Sequence, residues 1–217
     1  MKSPFFIVQE FISPKRCEEI ISKIQVNQPN FDVNGDPIKL ERHDAIVEDQ
    51  LYAELKAFIP EIEERYSAKY KGTENMIFQY YPEFAKKPAE NPGCENSKYI
   101  RKKWVKVKDV DLTGVLWLKD FNATAPIDPR IEVYGGKLEF PAYDFSLVPQ
   151  AGTLVLFPAG PHFINAISPI LVSDLYQVKI NICIEPQEGG LWLYNPKFFP
   201  FKLGAKTALS GWFEDFI

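Results

Sequence analysis

Cysteine is scarce in this chain: Cys17, Cys94 and Cys183 are widely separated and form no C-x-x-C pair. That excludes a disulfide framework, offers no zinc-ligand spacing and points to a reducing, cytoplasmic setting. Long hydrophobic runs are missing as well. No stretch approaches the roughly 20 apolar residues that cross a bilayer, and the opening MKSPFFIVQEF carries an acid where a signal peptide needs a longer apolar run. The chain is read as soluble and unexported, with no membrane partner. A basic excess is absent: 25 Lys and Arg against 29 Asp and Glu give a formal charge of −4. This argues against a surface that neutralises many phosphates, so no nucleic-acid partner is expected, although Arg101-Lys102-Lys103 forms a local basic run. There is no internal repeat and no low-complexity tract. In a chain without a signal peptide the Asn122-Ala-Thr124 sequon is a chance match.

What is present fits one folded domain over residues 1–217, with 46% hydrophobic and 25% charged residues, a balance far from that of disordered chains. After the apolar run of residues 4–9, Ser13-Pro14 offers an N-cap with proline at the first helical position, and Cys17, Ile20, Ile21 and Ile24 follow at helical spacing. Asn34-Gly35-Asp36-Pro37 marks a turn. Leu51, Leu55, Phe58, Ile59, Ile62 and Tyr66 then predict a second helix, kinked or split at Pro60. Beyond Gly72 the character changes to short β-branched and aromatic runs at 75–81, 112–118, 136–140, 145–148, 153–157, 163–167 and 175–184, broken by turn residues. Residues 82–103 read as a long irregular connection. Helices followed by strands favour a mainly β, α+β architecture in which an antiparallel sandwich or barrel carries helices on one face. The expected parts are an N-terminal strand and buttressing helices (1–74), a jelly-roll core (75–184) and an aromatic C-terminal extension (185–217).

The run 175–184 alternates. Tyr176, Val178, Ile180, Ile182 and Ile184 share one face, and Gln177, Lys179 and Asn181 share the other. Either the polar face meets water, as in an ordinary half-buried strand, or the helices cover the apolar face and the polar face lines a barrel interior. In the second case the ammonium of Lys179 needs an anion.

Several local patterns, in order, resemble the iron(II)/2-oxoglutarate-dependent oxygenase superfamily, in particular its small prolyl-4-hydroxylase-like members of bacteria and phages. They are FIVQEFISPKRCEEIISKI at the start, LTGVLWLKDFN, the YGGKLEF hairpin, and VPQAGTLVLFPAGPHFINAISPI. The resemblance covers roughly residues 4 to 184 and implies a double-stranded β-helix, a distorted jelly roll. It implies Fe(II) and 2-oxoglutarate as cofactor and co-substrate, the metal being held by a His-x-Asp/Glu pair early in the barrel and a second histidine late in it.

Carried over residue by residue, the cofactor set is degenerate. The counterpart of the early pair is Gly93-Cys94-Glu95, which keeps the carboxylate as Glu95 and has glycine at the histidine position; the other register, Lys106-Val107-Lys108, is poorer. Asn165 stands at the late histidine position, with His162 three residues earlier, and a bulge at Gly160-Pro161 is needed to turn His162 inward. His43 precedes the strand region and is read as a surface or interhelical residue. Where the superfamily commonly has an arginine for the far carboxylate of 2-oxoglutarate, this chain has Leu175, and Lys179, four residues on, supplies a point charge instead.

Two readings follow. One is a dioxygenase acting on an unknown substrate, a small molecule, protein or peptide, with Glu95 and His162 on iron and Lys179, Gln177 and Tyr80 on 2-oxoglutarate. The other is a non-catalytic relative in which Gly93, Asn165 and Leu175 record the loss of the iron site. The tail, with Trp192, Phe198, Phe199, Phe201, Trp212, Phe213 and Phe216, is expected to pack back on the barrel rather than serve as an interface.

Overall fold

Ser13 closes the start of the first helix. Its Oγ accepts the Arg16 N–H at 3.3 Å and its carbonyl accepts the Cys17 N–H at 3.1 Å, while Pro14 takes the position where a missing donor costs nothing. The protein was analysed as a computed structural model that describes residues 3–26, 38–40, 45–84, 86–90, 96–101, 103–123 and 128–186. Expectations placed on His43, Gly93, Cys94, Glu95, the turn 34–37 and the aromatic segment from Trp192 to Phe216 lie outside the described residues.

The elements run β1 (Phe6–Val8), α1 (Pro14–Val26), β2 (Ile38–Leu40), α2 (Ala45–Tyr66), β3 (Ala68–Thr73), β4 (Ile77–Tyr81), β5 (Lys87–Glu90), β6 (Ser97–Ile100), β7 (Lys103–Lys106), β8 (Leu112–Trp117), β9 (Asp120–Phe121), β10 (Glu132–Gly135), β11 (Leu138–Phe140), β12 (Phe145–Leu147), β13 (Leu154–Pro158), β14 (Asn165–Ile167), β15 (Ile170–Val172) and β16 (Leu175–Pro186). Of the kink or split expected at Pro60, the split does not occur: α2 is continuous, and both Pro60 and Lys56, whose carbonyl loses its partner, are exposed, so water can take the missing donor's place. No helix among the described residues is long and apolar enough to cross a membrane.

A large antiparallel sheet in the order β1-β13-β8-β16-β4-β2, with β3 also on β16, faces a smaller one in the order β12-β11-β14-β5. This is the curled, double-stranded β-helix that the sequence predicted. A short parallel pairing of β9 with β10 departs from the all-antiparallel expectation. The region 82–103 is also more regular than expected, since it contains β5 and β6. Lys87-Pro88-Ala89-Glu90 lacks any apolar alternation, and its proline is tolerated because β5 is the edge strand of its sheet.

The two faces of the large sheet bury different cores. On the outer face, Tyr176, Val178, Ile180, Ile182 and Ile184 of β16 pack with Cys17, Ile20, Leu51, Leu55 and Ile62 of the two helices. Between the sheets, Val115 and Trp117 of β8 and Val155 and Phe157 of β13 meet Leu138, Phe140 and Ile167 of the smaller sheet. Gly114 belongs to the outer face, where an added Cβ would come within 2.5 Å of a Leu156 methyl. Glycine there is a packing requirement.

Lys119, just past β8, is only 2% exposed. Its Nζ donates to the Pro129 carbonyl at 2.6 Å and to Ser173 Oγ at 2.9 Å, and lies 5.2 Å from the centre of the Tyr176 ring. It thereby ties the 128–131 turn to the β15–β16 turn. Burial lowers its pKa to about 8, only partly opposed by Asp174 and Asp128. An unfolded chain holds that proton up to about pH 10.4, so between these values the unfolded state binds more protons and stability rises with pH. We expect the thermal midpoint of the wild type, measured against Lys119→Met, to increase from about pH 8 to about pH 10; parallel profiles would contradict the buried, proton-releasing lysine.

Candidate functional site

The inner face of the large sheet is set by pairing. Lys179 stands beside Val115 of β8 and Ile77 of β4, Gln177 beside Trp117 and Gln79, Leu175 beside Tyr81, and Asn181 beside Thr113. Because Val115, Trp117, Tyr81 and Leu175 all belong to the core between the sheets, this row of residues looks into the barrel. The polar face of β16 therefore lines the interior, with Lys179 partly buried.

Gln177 and Gln79, 2% and 8% exposed, are directly opposed across β16 and β4. Gln177 Nε2 donates to Gln79 Oε1 at 2.6 Å and to Tyr81 Oη at 3.2 Å. Two steps of the alternation away, past Lys179, Thr113 Oγ1 donates to Asn181 Oδ1 at 3.3 Å, and Asn181 Nδ2 donates to Glu74 Oε2 at 3.0 Å. Two separate hydrogen-bonded groups thus flank Lys179 along β16, carboxamides with a tyrosine hydroxyl on one side, and a carboxamide with a threonine hydroxyl, ending on the exposed Glu74 carboxylate, on the other. A lysine beside such donors suits a carboxylate, which accepts hydrogen bonds and needs a counter-charge.

Tyr80, expected to join these groups, does not. Residues 78 and 80 point to the helical side, and the Tyr80 ring packs 5.0 Å from Tyr176 in the outer core. Burial, followed by the nearby Asp174 carboxylate, pushes its hydroxyl pKa up. The inward tyrosine is Tyr81, one residue later. Tyr81 and Gln79 were overlooked in the sequence, where the only signal was a glutamine inside the aromatic run IFQYY.

His162 is 5% exposed and lies in a turn closed by the Phe163 N–H on the Gly160 carbonyl at 3.1 Å. The strand begins only at Asn165, so the parity argument and the proposed bulge at Gly160-Pro161 are replaced by a turn; the register irregularity sits instead between Asn165 and Ile167. Asn165, also 5% exposed, donates from Nδ2 to the Phe163 carbonyl at 3.3 Å. It shares the inward face with Ile167 and pairs with Glu90 at the end of β5, from which the chain runs on towards Glu95. Leu175 is fully buried core.

The donors were compared with what iron(II) needs. The described residues bring one imidazole and one carboxamide to this end of the barrel. No trio of His, Cys, Asp or Glu gathers there among them. The described residues alone do not make the two-imidazole, one-carboxylate face that the resemblance implies, and Glu95, the carboxylate carried over from the resemblance, lies outside them. In the one such trio among the described residues, Asp109, Asp111 and Cys183, both carboxylates are already paired with the Lys106 ammonium. Lys106 Nζ lies 2.7 Å from Oδ1 of both aspartates, and Asp111 Oδ2 accepts the Ile184 N–H at 2.9 Å. Burial, helped by those carboxylates, raises the Cys183 thiol pKa to about 11, so it stays protonated at neutral pH.

The opposed glutamines predict coupled stability. Replacing either Gln177 or Gln79 by leucine strands a buried partner and should destabilise by about 1–3 kcal/mol. The double variant should lose less than the sum of the two, as read by urea unfolding in a double-mutant cycle. Additive losses would show that the pair is not coupled.

No family model matches the chain, and no curated protein does either. Solved structures do. A viral collagen prolyl hydroxylase from Paramecium bursaria Chlorella virus-1, in a 2-oxoglutarate complex, is 15% identical and superposes with a TM-score of 0.60 over 86% of this chain and 97% of that one. A prolyl-4-hydroxylase from Pseudomonas putida is 15% identical, with a TM-score of 0.57 over 85% and 94%. A Trichoplax adhaerens prolyl hydroxylase bound to a peptide fragment of hypoxia-inducible factor is 14% identical, with a TM-score of 0.55 over 83% of each chain. This chain has the double-stranded β-helix fold of the prolyl hydroxylases, the fold of the superfamily its sequence resembles.

Proposed function

We propose that the chain is a non-haem iron, 2-oxoglutarate-dependent oxygenase whose co-substrate lies against the polar inner face of β16. The observation that carries this reading is the inward Lys179 among Gln177, Gln79 and Tyr81, in a fold shared with a prolyl hydroxylase bound to 2-oxoglutarate. Lys179 provides the charge for one carboxylate of the dicarboxylate, and the Gln177 group orients it. Glu95 and His162 are the proposed iron ligands. When bound, iron and 2-oxoglutarate supply the oxidising chemistry, and the chain supplies anion binding and orientation.

With one imidazole in place of two, iron should bind weakly and with poor selectivity over other divalent ions. We expect Glu95→Ala and His162→Ala each to lower Fe(II) affinity, measured by anaerobic titration; unchanged affinity in both would reassign the ligands. Adding Fe(II) and 2-oxoglutarate anaerobically should give the weak visible charge-transfer band of the chelate. Its absence, together with no 2-oxoglutarate-dependent oxygen uptake, would favour the non-catalytic reading. That second reading rests on Asn165, whose carboxamide occupies the late histidine position and is engaged with Phe163.

The co-substrate site is tested separately. Millimolar 2-oxoglutarate should raise the thermal midpoint of the wild type by mass action. The gain should persist in Tyr80→Phe, shrink in Tyr81→Phe and vanish in Lys179→Met. An equal gain in Lys179→Met would place the anion elsewhere.

A further inference from the structure

The basic run noted in the sequence forms a distinct element. Residues 96–108 carry six Lys and Arg and no acid, in a chain whose formal charge is −4. Within them β6 and β7 pair only with each other, so among the described strands both outer edges of this ribbon are open. The Asn96 carbonyl, accepting the Val107 and Lys108 N–H groups at 2.8 and 3.2 Å, closes its base.

The register sets its two faces. Lys98 opposes Val105 and Ile100 opposes Lys103, which puts these four positions on one face, with Val107 continuing it. Ile100, Val105 and Val107 are 47%, 42% and 46% exposed. On the other face Lys106 turns towards the body of the molecule, to the buried Asp111. Lys98, Arg101 and Lys108 are exposed and have no ion-pair partner among the described residues.

The tip shows the same bias. A two-residue hairpin loop favours asparagine and glycine, which accept positive φ. Here the residue that follows β6 is Arg101, and it sits at φ +50°. A cation is kept at a backbone position that asparagine or glycine would hold with less strain.

Cations around a β-branched face with open edges fit one kind of partner. Single-stranded nucleic acid binds basic grooves that present aromatic rings for stacking, whereas the exposed apolar side chains described on this face, Ile100, Val105 and Val107, are aliphatic. An extended polypeptide can add to an open strand edge through its main chain and set alternate side chains on one face. We propose that the β6–β7 hairpin docks an extended acidic polypeptide. Its main chain continues the ribbon, its apolar side chains cover Ile100, Val105 and Val107, and its carboxylates meet Lys98, Arg101 and Lys108. Docking does not depend on the oxygenase reading; only the further step, that the docked chain is the substrate, rests on it.

The test is fluorescence anisotropy of a labelled nonapeptide of alternating Glu and Val, with the full chain in EDTA and without 2-oxoglutarate, so that failure here leaves the oxygenase reading to its own assays. A labelled Lys/Val nonapeptide and a labelled oligouridylate are the comparison probes. The Glu/Val peptide should bind, more weakly as salt is raised, and Lys98→Glu with Arg101→Glu should weaken it about tenfold or more. Arg101→Asn, which suits the positive φ, should also weaken binding while leaving the thermal midpoint unchanged or higher, which separates lost charge from lost fold. The proposal is overturned if the Glu/Val peptide does not bind, if both variants bind it as the wild type does, or if either comparison probe binds as tightly.

Discussion

β16 is the constraint on which the rest of the structure depends. It pairs with β8 along one edge, from Gln177 to Ile182, and along the other with β4 and then β3. Its twelve residues therefore fix the register of three other strands. Its outer side chains are all apolar, and burying them requires the helices, so the same strand decides where α1 and α2 sit. A one-residue slip would put Lys179 and Asn181 into that helical interface and the isoleucines into the barrel. The cost of burying an unpaired ammonium among aliphatic side chains makes such a slip improbable.

Once the outer face is committed, the inner face must solve a polar problem. Gln177, Gln79, Thr113 and Asn181 are each less than a tenth exposed, and a buried polar group without a partner costs about 1–3 kcal/mol. The solution is pairing across strands. Gln177 bonds to Gln79 and Tyr81, and Asn181 bonds to Thr113 and Glu74. These bonds hold the side chains in fixed orientations on either side of Lys179.

Much of this was legible in the sequence, and the limits have physical causes. The alternation of 175–184 was readable because period-2 burial is a local signal, and so were the Ser13-Pro14 helix start and most of the core strands. The edge strand β5 was not, since an edge strand is free to carry proline and charge. Tyr80 was placed on the wrong face because parity within a short run is fixed only by its neighbour: the pairing of Gln177 with Gln79 turns Tyr81 inward, and that pairing is not visible in IFQYY alone. For His162, strand periodicity was applied to a residue in a turn. The candidate metal carboxylate, Glu95, was read from a resemblance and not from any local pattern.

The same alternation separates what the fold requires from what the interior holds. The residues that hold the large sheet to the helices lie on one face of β4, β8, β13 and β16, and those that would meet a ligand lie on the other. Substitution on the inner face leaves the helical interface untouched. Leu175, which the resemblance aligns with the superfamily's arginine, joins the inner core and is fully buried. Asn165 likewise satisfies its own amide on the Phe163 carbonyl without disturbing its strand. The scaffold and the interior therefore depend on different residues of the same strands, and a fold match at 15% identity carries little information about which ligands the interior holds.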